Sequence, residues 1–160
     1  MEECSSLMNL FRRILSNLPA LLTPHRSLTP DRHLQVTNLT NKLLLASYVT
    51  LADQGATRRK GLLGRKQLSS DEGLWILPCE AVHTFGMQFP IDLIYLDRSH
   101  RIIKISSAVP PWRLSICLSG HSVLELASGA IRDSQTKRGD KLLFQVCGSG
   151  LDRQDNQGST

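Results

Sequence analysis

Aromatic side chains are scarce in this sequence: Phe, Trp and Tyr together make up 5% of 160 residues. A basic run is present, Arg58, Arg59, Lys60, Arg65 and Lys66, but no aromatic residues are interleaved with it to stack bases. That argues against nucleic acid, because a solvated helix face is the commoner source of such a run. Cysteine is also sparse. The four residues, Cys4, Cys79, Cys117 and Cys147, form no CxxC pair, which excludes zinc-ribbon and dithiol redox motifs and leaves them as isolated small apolar groups. A disulfide stays open, since pairing depends on Cα separations that spacing does not reveal. No uninterrupted apolar run approaches the roughly 18 residues of a membrane-spanning helix. There is no nucleophile elbow, phosphate loop or HExxH helix, and no internal repeat.

What is present fits one ordinary core. With 160 residues, 17.8 kDa and 41% hydrophobic content, a single domain is the expectation. The net charge of +5 and pI near 9.3 imply solubility and weak attraction to polyanions. Three regions follow from the composition. Residues 1–33 read as an N-terminal extension. Within it Leu7, Leu10, Phe11, Ile14, Leu15 and Leu18 have the rhythm of an amphipathic helix, and a linker containing Pro24 and Pro30 follows. Residues 34–147 carry the folded domain. From Gly148 to Thr160 the chain has almost nothing to bury, so 148–160 reads as a disordered tail. Arg12-Arg13 resembles the start of an export signal, but Ser16, Asn17 and Pro19 interrupt the apolar run and no Ala-x-Ala site follows. The expected location is cytoplasmic, with export to the periplasm as the alternative.

After Arg32 short runs rich in Val, Ile, Leu and Tyr alternate with turn residues, the pattern of a mainly β domain. Strands are expected at 34–39, 43–51, 74–77, 81–85, 91–96, 101–109, 112–118, 122–126 and 141–146. Thr40-Asn41 and Asp97 to His100 supply hairpin turns. One short helix is expected over Ala56 to Leu63, capped by Asp53 and closed by Gly64. So many short strands leave edges to protect, which predicts a small closed or partly open β-barrel.

The segment Pro78 to Asp97 gathers a thiol, an imidazole, a thioether and two carboxylates. Cys79, His83 and Met87 would line one face of a helix, but β-branched Val82 and Thr84 and the breakers Gly86 and Pro90 favour extended chain. Four extended residues separate Cα atoms by roughly 13 Å, too far for shared ligation through bonds of about 2.0–2.3 Å. A metal is therefore not expected, with Cys79 and His83 the only ligands worth naming. His83 reads as a satisfied histidine or as a pH-sensitive group in a pocket. Asp92, directly ahead of Leu93 to Leu96, either caps a backbone turn or is an inward acid partnered by a residue such as Arg58. Glu125 alternates with Leu124 and Leu126 and so sits on the opposite strand face, where it is unremarkable if that face is solvated.

Taken in order, Arg58-x-x-Gly61-Leu62, Gly73 before an apolar strand, Pro90-Ile91-Asp92 with Leu93 to Asp97, Val123-Leu124-Glu125-Leu126 with Gly129, and Gly139-Asp140 resemble the bacterial and archaeal family known as domain of unknown function 192. The likeness runs from Leu34 to Val146. Many members read Trp-Met-Lys-Asn-Thr where this chain reads His83-Thr84-Phe85-Gly86-Met87, which looks like a branch carrying His-Thr-x-x-Met. Roles of the tryptophan or lysine of the other branch are not carried over. The resemblance implies a compact, mainly β, barrel-like fold and no established activity.

Three functional readings follow. The first is a small binding or accessory module whose polar pocket is lined by Arg58, His83, Asp92, Glu125, Trp112 and Arg113. Its ligand would be a small anion or a protein, since guanidinium groups suit carboxylate and phosphate. The second is a hydrolase with His83 as general base oriented by Asp92 or Glu125. The third is peripheral docking on a membrane or partner through residues 7–18. No cofactor is implied by any of them.

Overall fold

A computed structural model describes residues 33–147. The amphipathic helix expected over 7–18, Cys4 and the tail 148–160 lie outside the described residues. The elements are β1 (His33–Asn38), β2 (Leu44–Ala52), α1 (Gly55–Lys60), β3 (Glu72–Ile76), β4 (Ala81–His83), β5 (Ile91–Leu96), β6 (Ile102–Val109), β7 (Leu114–Ile116), β8 (Ser122–Ala127), α2 (Ala130–Asp133) and β9 (Leu142–Cys147). The described residues are mainly β with two short helices.

Local chemistry places most of these elements. The turn between β1 and β2 is made by asparagine side chains: Asn38 Oδ1 accepts the Thr40 N–H at 2.9 Å, and Asn41 Oδ1 accepts the Leu43 N–H at 2.9 Å. Between β5 and β6, Asp97 Oδ1 accepts the N–H groups of Ser99 and Arg101 at 2.7 and 3.0 Å. The N-cap position of α1 is Gln54 rather than Asp53, and the helix closes at Gly61, whose φ of +49° lies in the left-handed region. Gly64, the expected stop, is a second left-handed turn three residues later, with φ +83°. The short helix α2 has no counterpart in the sequence reading, because four residues are too few to show a period.

Seven strands form one sheet in the order β6-β5-β8-β3-β2-β1-β9. β2 and β3, joined through α1, are parallel, and the other neighbours are antiparallel. The central strands β5 and β8 are buried on both faces, so Ile91 to Leu96 reads as a continuous apolar run with one carboxylate in it. One face carries Ile94, Leu96, Leu124 and Leu126, packed against Leu34, Val36, Val49 and Leu142 from the other half of the curled sheet. The opposite face carries Ile91, Leu93, Tyr95 and Val123, and is covered by Leu62 beyond α1, Val82 of β4 and Met87.

The sheet does not close into a barrel, contrary to the sequence expectation. Its edge strands β6 and β9 meet only at an isolated bridge between Arg101 and Lys141. β4 and β7 take no place in that sheet and pair with each other as a two-stranded ribbon, with Ala81 opposite Ile116 and His83 opposite Leu114. Close packing in the main sheet depends on Gly73, where a Cβ would come within 2.9 Å of Leu126 Cδ2 and 3.1 Å of Val49 Cγ2.

Candidate functional site

The ribbon has two unlike sides. Val82 is buried against the sheet and Ser115 is half-buried, while the alternate positions Leu114 and Ile116 are 41% and 42% exposed. Trp112, held at φ +63°, is 60% exposed, and Leu118 just beyond β7 is 80% exposed. The imidazole of His83 stacks on Phe85 at 5.3 Å, and Phe85 lies 6.0 Å from Trp112 in a tilted contact. The result is an outward aromatic and aliphatic face. Thr84 pins its base: its hydroxyl donates to the Pro110 carbonyl at 2.8 Å and accepts the Arg113 N–H at 2.9 Å. Lys104 of β6 ties down the other side, donating to the Ile116 carbonyl at 2.8 Å.

Beneath the ribbon lies an acid. Glu125 is 4% exposed, its strand neighbours are Leu74 and Leu93, and its Oε2 has no hydrogen-bond partner among the described residues. Burial pushes its carboxyl up to about 8, so it is largely neutral at pH 7. Leaving a buried polar atom unpaired costs about 1–3 kcal/mol, so this group needs an explanation beyond packing. Cys79 lies close by; burial pushes its thiol up to about 11, partly offset by a backbone hydrogen bond at Ala81 and by the Arg58 charge. Burial also pushes the Tyr95 hydroxyl up to about 12, partly offset by Ser115 beside it, and its oxygen makes no hydrogen bond of acceptable geometry.

Asp92 belongs to the other face. Its carboxylate accepts three backbone N–H groups: Ala108 at 2.7 Å, Gly129 at 3.1 Å and Ile131 at 3.0 Å. Ala108 and Gly129 both hold positive φ, +50° and +101°. Of the two readings open for Asp92, the backbone cap is the one observed, and Arg58 is not its partner. Arg58 instead donates to the Leu77 carbonyl at 3.4 Å.

The six sequence-derived candidates therefore do not share a pocket. His83 and Trp112 stand on the outer side of the ribbon, Arg113 is exposed just before β7, Glu125 is sealed under the ribbon, and Asp92 lies on the far face of the sheet. Burial of the ring lowers the His83 pKa, with no carboxylate close enough to oppose it, so His83 lacks the acidic orienter of a general base. Arg113 spends one N–H on the Trp112 carbonyl at 3.1 Å. Two surface grooves lie elsewhere. One of about 520 Å³ runs between Asp97 to Ser99 and Leu118 to His121, and one of about 280 Å³ lies between β2 and α2. Neither is lined by any of the six. Among the described residues no three His, Cys, Asp or Glu side chains converge as metal ligands, Cys79 and His83 included. None of the described helices is long and apolar enough to cross a membrane.

The sequence reading missed Phe85, Leu114, Ile116 and Leu118. A signal existed: Trp112, Leu114, Ile116 and Leu118 alternate with Arg113, Ser115, Cys117 and Ser119. Period-2 logic would bury the apolar set. The structure turns it outward, because Tyr95 and Val82 already fill the inner side and leave room only for Ser115 and Cys117.

Comparison with known proteins agrees with this fold. Residues 36–144 match the family domain of unknown function 192, described as "Uncharacterized ACR", and the chain belongs to that family. No curated protein matches. The chain is similar to a crystal structure from Sinorhizobium meliloti, provisionally described as a transcription regulator, at 19% identity over 74% of this chain and 97% of that one, with a TM-score of 0.61. It is also similar to a protein of unknown function from Novosphingobium aromaticivorans, at 22% identity over 81% and 95% of the two chains, also with a TM-score of 0.61. At these identities the likeness concerns the fold.

Proposed function

We propose that this member of the family is a binding module, and that its working surface is the outward side of the β4–β7 ribbon. One observation carries the reading. The ribbon spends its apolar alternation on solvent, with Trp112 60% exposed beside Leu114 and Ile116. Scattered exposed apolar residues are ordinary, but a contiguous patch containing Trp is typical of a contact surface. The partner is large rather than enclosed. The candidate cations do not converge on a cavity, and Arg58 and Arg113 each bond a backbone carbonyl next to the ribbon. The hydrolase reading draws no support from the geometry, since neither Asp92 nor Glu125 reaches His83.

Site-specific photo-crosslinking tests the proposal without presuming a partner. A photoreactive residue at Leu114 is compared, in living cells of the source organism, with one at Leu44, which is 49% exposed on β2. The reading expects intermolecular products, to protein or lipid, from Leu114 and not from Leu44. Equal yields at both positions, or none at either, count against a dedicated face.

A further inference from the structure

Charge around the ribbon is mostly positive, with Glu80 and Asp97 the acids beside it. Residues 54–70, 81–91 and 98–121 contain no Asp or Glu, yet they hold nine of the 19 Lys and Arg residues of the chain, five in the first stretch and four in the last. The fold brings these stretches to one side. Leu62, Leu63 and Leu68, which follow α1, cover the same sheet face as the ribbon. Arg58 reaches Leu77 just before β4, and Leu63 packs within 3.7 Å of where a Gly86 side chain would begin. On the other flank Lys104 bonds the ribbon itself, and Arg98 shares with Leu118 a groove that Glu80 and Asp97 also line. Among the described residues only Arg65 of these nine is held in a salt bridge, to Glu72 at 3.5 Å. Arg59, Lys60, Lys66, Arg98 and Arg113 are exposed.

We propose that the occupant of this face is an anionic lipid surface, with Trp112, Leu114 and Ile116 entering the headgroup and acyl boundary and the flanking cations meeting the lipid phosphates. The inference rests on the reading of the ribbon as the docking face and names what it docks on. Tryptophan favours the membrane interface, and basic side chains near an anionic surface each add attraction. Nucleic acid would satisfy the cations but offers nothing to the protruding aliphatic side chains of Leu114 and Ile116. An acidic protein groove would satisfy both, and is distinguished by the test.

The test is flotation of the full chain with vesicles of phosphatidylcholine containing about 30% phosphatidylglycerol, against pure phosphatidylcholine. Two variants separate the two contributions: Trp112→Ala with Leu114→Ser, and Arg59→Glu with Lys60→Glu. All four positions are exposed, and circular dichroism checks that each variant is folded. Expected are binding to the anionic vesicles only, a loss of at least roughly tenfold in partitioning for either double variant, and further loss as salt rises from about 50 to about 500 mM. Absence of binding at low salt overturns the inference. So does binding that the Trp112 and Leu114 changes leave intact, which would place the contact elsewhere, for example in residues 1–32. If vesicles fail while a photoreactive Leu114 crosslinks to a protein, the lipid surface is wrong and the docking face stands. If both fail, both fall.

Discussion

Replacing Glu125 by Gln removes the one carboxyl buried without a partner among the described residues, and the consequence for stability has a calculable sign. Burial raises its pKa from 4.5 to about 8. Between those values the folded state holds a proton that the unfolded chain has released, so the free energy of unfolding falls as pH rises. The slope is about 1.4 kcal/mol per pH unit across that window, and the accumulated loss above pH 8 is on the order of 5 kcal/mol. Water entering under the ribbon would lower that ceiling, so a measured loss of about 2–5 kcal/mol is the expected range. Glutamine keeps the shape and does not titrate. Urea unfolding at half-unit intervals from pH 5 to 9 should therefore show wild type declining toward high pH and Glu125→Gln lacking that decline. The variant should be the more stable of the two at pH 9. Parallel curves across the window would refute the reasoning, because they would mean that Glu125 is solvated or paired in the folded protein.

Asp92→Ala strips the acceptor from three backbone N–H groups, two of them donated by residues at positive φ, and should cost about 3–5 kcal/mol in urea unfolding with little change in ribbon behaviour. Gly73→Ala forces a methyl group to within 2.9 Å of Leu126 and 3.0 Å of the Glu125 carbonyl, and should lower the melting temperature through a loss of about 1–3 kcal/mol. The His83 imidazole should titrate below the usual histidine range by NMR. Because its folded pKa is the lower one, the stability it contributes is present above the ordinary value and lost as pH falls through the folded one. Cys79, with its thiol pushed up to about 11, should resist iodoacetamide at pH 8 in the folded chain and react readily in urea, as followed by mass spectrometry.

Much of the fold was legible because hairpin chemistry is local. The β5 run Ile91 to Leu96 is expected and found with the same limits, and the Asp97 to His100 turn is built by the aspartate whose side chain suggested it. Closure was not legible. Nothing in the composition of Ala81 to His83 or Leu114 to Ile116 says that these strands pair with each other rather than with the sheet, since that choice depends on long-range register. The site was readable in pieces. His83, Trp112 and Arg113 do come to the same ribbon, but the two acids were misgrouped with them. A shift of one residue decides which face a strand side chain takes. Asp92 and Glu125 lie on adjacent strands, with Asp92 opposite Leu126 and Glu125 opposite Leu93, and so point to opposite sides of the sheet.

The account turns on whether the ribbon's outer side is free in the isolated chain and covered when docked. In a Trp75→Phe variant Trp112 is the sole tryptophan, and its emission reports that side alone. The account predicts a red-shifted emission, readily quenched by acrylamide in the purified protein, which shifts to the blue and loses quenching when the protein is bound. Emission that is already blue and shielded in the purified chain would contradict it, because the face would then be packed against the protein's own residues rather than left for a partner.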